Sequence, residues 1–192
     1  MDVKIKPRIR FRFDEAKTAQ AAAHLLMRHG GKLPHTRLIK LLYLADRQAL
    51  LETGMTITGD KMVSMDRGPV LSNVYDLIKG KASGEPWSRL LASSGHWILS
   101  LREEEPPTDE LSSYELCVLD NVDERFGDMD LKLLIPYLHQ ACGEWQDPKG
   151  SSIQIHPEEI LSAEHRTIEE IKLLAEDAEE LWALDTVRLK RG

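Results

Sequence analysis

The stretch KLLYLADRQALLETGMTITGDKMVSMDRGPVLSNVYDLIK, Lys40 to Lys79, carries in one run a helix, its stop signal, a turn-bounded strand region and a second helix. The first helix reaches back to His35 and on to Glu52, and places Leu38, Leu41, Leu42, Ala45 and Ala49 on one stripe. Ile39, Tyr43, Leu44, Leu50 and Leu51 fall largely outside that stripe, which leaves Lys40 and Arg47 as the clearly polar edge. A helix apolar nearly all round belongs in the centre of a core. Asp46 breaks the pattern, one turn from Leu42, Tyr43, Ala49 and Leu50 and so within an apolar sector. A carboxylate there needs donors, and Asp46 is expected to be a buried acceptor that locks a neighbouring loop.

Gly54 closes the helix, and Ile57-Thr58-Gly59-Asp60 leads into Lys61–Met65, which reads as one or two short strands around a turn. Met62, Val63 and Met65 are expected to face inward, with Lys61, Ser64, Asp66 and Arg67 outward. Gly68-Pro69 then interrupts the pattern, and Ser72 is placed to cap a helix running through Val74, Tyr75, Leu77 and Ile78 to Gly80.

Working outward, Asp14 is placed to cap an alanine-rich helix over Ala16–Met27 that Gly30-Gly31 ends. Trp97–Leu101 reads as a strand, and Arg102–Thr108 as a loop. Ser113 precedes a helix with Leu116, Leu119, Val122 and Phe126 on one face. Met129–Leu138 is helical in pattern but contains Pro136, expected to kink or restart it. His156-Pro157 marks another start, and Thr167 with Glu170 makes a capping box inside a long acidic helix. In that helix Ile168, Ile171, Ala175, Ala178 and Trp182 follow helical spacing, a stripe expected to dock on the body.

Residues 1–13 alternate Val3, Ile5, Ile9, Phe11 and Phe13 with Lys4, Lys6, Arg8, Arg10 and Arg12. The period of two argues for a strand, and Pro7 for an edge strand. The arm carries five bases against Asp2, so of the net charge of −7 the rest of the chain holds −11. A basic arm on an acidic body gives no concentrated basic surface, which makes nucleic acid an unlikely main ligand. Deleting residues 1–12 is expected to leave a folded protein.

The chain's 192 residues, 42% of them hydrophobic, suffice for one core and leave little room for a second domain. No apolar run reaches about 18 residues and the start lacks a signal-peptide core, so a cytoplasmic protein without a membrane span is expected. Cys117 and Cys142 lack a paired-ligand spacing and are read as reduced core thiols.

The Lys40–Lys79 stretch resembles the core signature of the Panacea (SocA-like) antitoxin domain family, through Lys40-Leu41-Leu42-Tyr43, Asp46, Gly54, Ile57-Thr58-Gly59-Asp60, Gly68-Pro69-Val70, Ser72 and Tyr75. The helix from Tyr114 to Phe126, then Leu138-His139 and Trp145, is similar to the family's second block, so the likeness covers roughly residues 16–147. The resemblance implies an α+β, predominantly helical single domain with a small antiparallel sheet, divided here into the basic arm 1–13, a helical domain 14–162 and an acidic helix 163–192 packed on it. It also implies a protein that binds and neutralises a cognate toxin, in one branch delivering it to a protease; a protease or chaperone is therefore a further expected partner. No catalytic residue and no cofactor is implied. Gly59 and Gly68 suit tight backbone geometry, Asp60 a turn cap, and Tyr43 and Tyr75 are placed to anchor the loop through their hydroxyls. Contact with the toxin is assigned to Lys61, Ser64, Met65, Asp66 and Arg67, because a shared scaffold needs exposed, variable chemistry to tell partners apart.

Two other classes of function compete. A metal-dependent enzyme would draw on His24, His29 and His35, or on His139, Cys142 and Glu144, but neither set has a second ligand pair. A regulator of its own operon would use the basic arm on DNA, though no helix presents a basic recognition face.

Overall fold

A computed structural model describes residues 8–81, 85–94 and 97–189. Its described elements are α1 (Glu15–Arg28), β1 (Lys32–Pro34), α2 (His35–Thr53), β2 (Met62–Met65), β3 (Gly68–Leu71), α3 (Ser72–Ile78), α4 (Glu85–Leu90), β4 (Leu91–Ser94), β5 (Ile98–Leu101), α5 (Ser113–Phe126), α6 (Leu131–Ala141), β6 (Ile153–Ile155), α7 (Pro157–Ala163) and α8 (Ile168–Leu189). The fold is α+β and mostly helical, and its strands form two antiparallel sheets in the orders β1-β5-β4 and β3-β2-β6. β1, α4, β4 and β6 carry no periodic signal long enough to read from sequence, and Gly68-Pro69, expected to interrupt the pattern, instead opens β3, which pairs back on β2.

The core gathers around α2, whose Leu38, Leu41, Leu42 and Leu50 are sealed from solvent. α1 lies against it through Ala19, Ala21, Ala22 and Ala23, all fully buried, since small side chains let two helices approach closely. α5 covers the same layer with Val118, Leu119, Val122 and Phe126. Asp14 caps α1 by accepting from the Lys17 N–H. Ser112, one residue before the expected position, caps α5 in a reciprocal box with Glu115.

Several expectations are corrected. Residues 8–14 form no strand; Ile9 instead is 4% exposed and its N–H donates to Glu158 of α7. The alternation of residues 8–13 reflects which side chains enter the core, while the part of the expected strand at residues 1–7 lies outside the described residues. α6 runs unbroken through Pro136, because Lys132, whose carbonyl loses its intrahelical partner, is exposed to water. Thr167 and Glu170 bond reciprocally at the start of α8 and not within it. Ile171, Ala175 and Ala178 of α8 are buried, whereas Ile168 and Trp182 are exposed, so the docked stripe is shorter than its spacing suggested. Cys142 is buried but Cys117 is exposed on the outer side of α5; both are free thiols. No helix among the described residues is long and apolar enough to cross a membrane.

Candidate functional site

Lys40, Tyr43 and Arg47 stand three and four residues apart, and this spacing aligns them on one side of α2. They form a buried polar stripe, not the solvent-facing edge expected for Lys40 and Arg47: Lys40 is 1% exposed and Arg47 is half-buried. Each meets a partner from much later in the chain. The Lys40 ammonium donates to the carbonyl oxygen of Pro69 at 2.7 Å. The Tyr43 hydroxyl donates to Glu144, which also accepts from Arg47 Nε at 2.8 Å, and a second Arg47 nitrogen reaches Glu164. The Tyr43 hydroxyl thus ties α2 to the segment after α6 and not to the Gly59–Pro69 loop. Tyr75 is half-buried, with the Lys79 ammonium 4.2 Å above its ring.

These contacts converge beneath the hairpin formed by β2 and β3, where Met62 pairs with Leu71 and Ser64 with Pro69. Trp145 Nε1 donates to the Met65 carbonyl at 3.1 Å, and the same indole stacks on His139 with ring centres 3.8 Å apart. Ser64 Oγ accepts from the Gln146 N–H, and Asp66 accepts from the Gly150 N–H. The hairpin is therefore held from below at Ser64, Met65, Asp66 and Pro69, and its turn stands clear.

Burial shows which candidate contact residues are available. Lys61, Asp66 and Arg67 are exposed and Met65 is half-buried, but Ser64 is completely buried. The reason is the period of two in a strand: Met62 and Ser64 share the inner face, so Val63 and Met65 lie on the other. Ser64 is consequently a support for the loop that follows Trp145, and not an outward contact.

Beside this stripe on α2, Asp46 is fully buried and accepts from the N–H groups of Ile57 and Thr58, each at 2.9 Å, and from the Thr58 hydroxyl. Asp60 carries the chain onward. Its carboxylate accepts from the N–H groups of Lys61, Asn73 and Val74, and so caps α3 in place of Ser72, whose side chain makes no capping bond. A residue twelve positions before the helix does the capping because the hairpin folds its ends together, which no local sequence rule anticipates.

The electrostatics are unusual at two points. Burial lowers Lys40 to about 7, helped by the nearby Arg67 cation. Burial raises Asp46 to about 7 against the pull of its hydrogen bonds from Thr58 and Ile57, with Asp60 adding repulsion. His139 is lowered by burial and by Lys40, Asp147 acting the other way, and its Nε2 is buried without a partner. Burial also pushes the Cys142 thiol up to about 12, so it is no nucleophile at neutral pH. Among the described residues, no group of three or more His, Cys, Asp or Glu side chains is placed to hold a metal ion. His139 faces Trp145 while Glu144 is taken by Tyr43 and Arg47; His24 and His29 bond to Asp120 and Asp123.

Fold and geometry together define a small α+β domain whose buried polar groups are spent on holding one hairpin and one loop. A family model described as Antitoxin SocA-like, Panacea domain, matches residues 38–146, and the chain belongs to this family of antitoxin-like proteins. The matched span contains α2, the hairpin and every partner of the clamp except Gly150 and Glu164. Neither curated proteins nor solved structures gave a match.

Proposed function

We propose that this protein neutralises a cognate toxin protein by binding it directly, with the turn of the β2–β3 hairpin as the contact. Arg67 offers a cationic group at the turn with the half-buried Met65 beside it as an adaptable apolar one, and the exposed Lys61 adds a second cation at the other end of the hairpin. The observation that supports this most is that the exposed turn is clamped beneath by Lys40, Trp145 and Gln146. A preformed loop loses little conformational freedom on binding, which leaves more of the contact energy as affinity. The basic arm and α8 are proposed to add partner preference.

The test is to co-express the product of the neighbouring gene with the wild type and with a Lys61→Glu, Arg67→Glu double variant. Asp66 is left intact because its carboxylate holds Gly150. The double variant is expected to stay folded, melting at or above the wild type because Arg67 no longer opposes the Lys40 charge, while losing growth rescue and co-purification. Rescue by a folded double variant at wild-type level moves the contact away from this turn.

A further inference from the structure

Sheet edges need protection, because unpaired N–H and C=O groups invite another strand. Three of the four edges here have it. β1 carries Lys32 and Pro34, β6 is three residues long, and β3 is buried along its whole length with α2 and α6 against it. β4 is different: Leu91-Ala92-Ser93-Ser94 has no charge and no proline.

The register shows which backbone groups of β4 are open. Arg102 N–H donates to the Leu90 carbonyl, and β4 pairs with β5 so that Ala92 faces Ser100 and Ser94 faces Ile98. Bonded pairs alternate along an antiparallel ladder, so the even-numbered residues of β4 point their N–H and C=O at β5. The other side of β5 agrees, since Leu101 N–H goes to Gly31 next to β1. Leu91 and Ser93 therefore direct their backbone groups away from the sheet; the Leu91 carbonyl is taken by Arg102 Nε at 3.3 Å, which leaves the exposed Ser93 as the residue of β4 that can pair with a further strand.

That side opens onto a groove of about 680 Å³ lined by Leu91, Ala92 and Ser93 together. Consecutive strand residues project to opposite faces, so a groove touching all three reaches the edge of β4, and Leu99 of β5 extends it onto one face of the sheet. The end of α3 at Leu77 and Trp87 of α4 also border it, both nearly sealed in the core at 6% and 5% exposure. Lys79 and Arg102 outnumber Glu85 among the lining residues, in a chain whose net charge is −7.

We propose that this groove binds an extended peptide segment of a partner protein, which adds to β4 as a fourth strand at Ser93 and carries an acidic residue toward Lys79 and Arg102. Four strand residues span about 13 Å, room for about four residues of a partner. The groove contains no residue of the hairpin turn, so it stands apart from the contact proposed above.

The experiment selects a peptide from a random decamer phage library on the full chain and titrates a fluorescein-labelled synthetic copy. The Ser93 amide is expected to slow in hydrogen exchange on binding. Ser93→Pro removes the outward N–H at a position where an edge strand accepts proline, and is expected to weaken binding about five- to tenfold, with Ser93→Ala unchanged. A scan of singly N-methylated peptides reads the same pairing without altering the protein: methylation at alternate positions abolishes binding and at the others does not. Failure to select any peptide that protects Ser93, or an N-methyl scan without a period of two, overturns the proposal. A dimer in sedimentation that the peptide dissociates assigns the groove to a second copy and overturns it equally.

Discussion

The ammonium of Lys40 is bonded to the Pro69 carbonyl at 2.7 Å, yet the charged side chain that acts on it most is another cation, Arg67. A buried cation held by one neutral acceptor is costly when charged. Lys40 titrates near 7 in the folded protein and near its ordinary 10.5 when unfolded. Between those values the unfolded chain binds the extra proton, so this group's contribution to stability rises with pH across that window and is at its lowest below about 7. Subtracting the stability curve of Lys40→Met from that of the wild type isolates the contribution, on the order of a few kcal/mol between pH 7 and 10. Denaturant melts at several pH values check it, and a difference that does not rise with pH sinks it.

Asp46 has the opposite sign. Its folded value is raised to about 7, so the folded protein holds a proton that the unfolded chain has released, and stability from this group declines as pH rises from about 4 toward 7. Asp46→Asn keeps an oxygen for the Ile57 and Thr58 N–H groups and offers a donor to the Thr58 hydroxyl oxygen, so it should fold well and lose this pH dependence. Asp46→Ala strands those donors and is expected to cost about 1 to 3 kcal/mol, several degrees in melting temperature. Equal melting temperatures for the two variants would contradict this account.

Gly59 packs directly on the backbone carbonyl of Arg12, with no space for a methyl group and with φ at +67°. Gly59→Ala therefore meets both a backbone clash and an unfavourable conformation, and a loss of more than about 2 kcal/mol is expected in chemical denaturation. The same contact, with Ile9 in the core, revises the expectation for the arm: deletion of residues 1–12 should lower the melting temperature and not leave it unchanged. A truncated chain that melts with the wild type refutes this.

Trp145 makes two separable contacts. Trp145→Phe retains a ring against His139 but removes the N–H that reaches the Met65 carbonyl, and is expected to cost about 0.5 to 1.5 kcal/mol. Hydrogen exchange should then quicken in the hairpin from Met62 to Leu71 before it does in α2. Uniform quickening across the chain would mean that the indole serves the core as a whole.

α2 was legible because its apolar spacing is local and long, and Asp46 because a carboxylate among leucines has few alternatives to burial among donors. Lys40 was misread on the same helix, since its bland identity as a charged residue gave no hint that a carbonyl from Pro69 waits above it. Its 3-4 spacing with Tyr43 and Arg47 was a signal available in the sequence, and it pointed to a polar stripe with a partner. Ser64 was misplaced by grouping residues by polarity instead of by the strand's period of two. The contacts of Trp145 and His139 with the hairpin, and of Glu144 with α2, had no local signal, because each joins segments about 70 to 100 residues apart.

By itself the sequence determined the helical, one-core character of this protein and the central place of α2, which follow from local periodicity, while its Lys40–Lys79 residues carried the resemblance to the antitoxin-like family. Only the tertiary structure decided that Asp60 caps α3, that Lys40 is sealed under the hairpin, that Ser64 faces inward while Arg67 faces out, and that β4 is left with an open edge. Those outcomes depend on which distant backbone groups remain unpaired once the chain has closed, and hydrogen bonds between segments brought together by packing leave no periodicity in either segment.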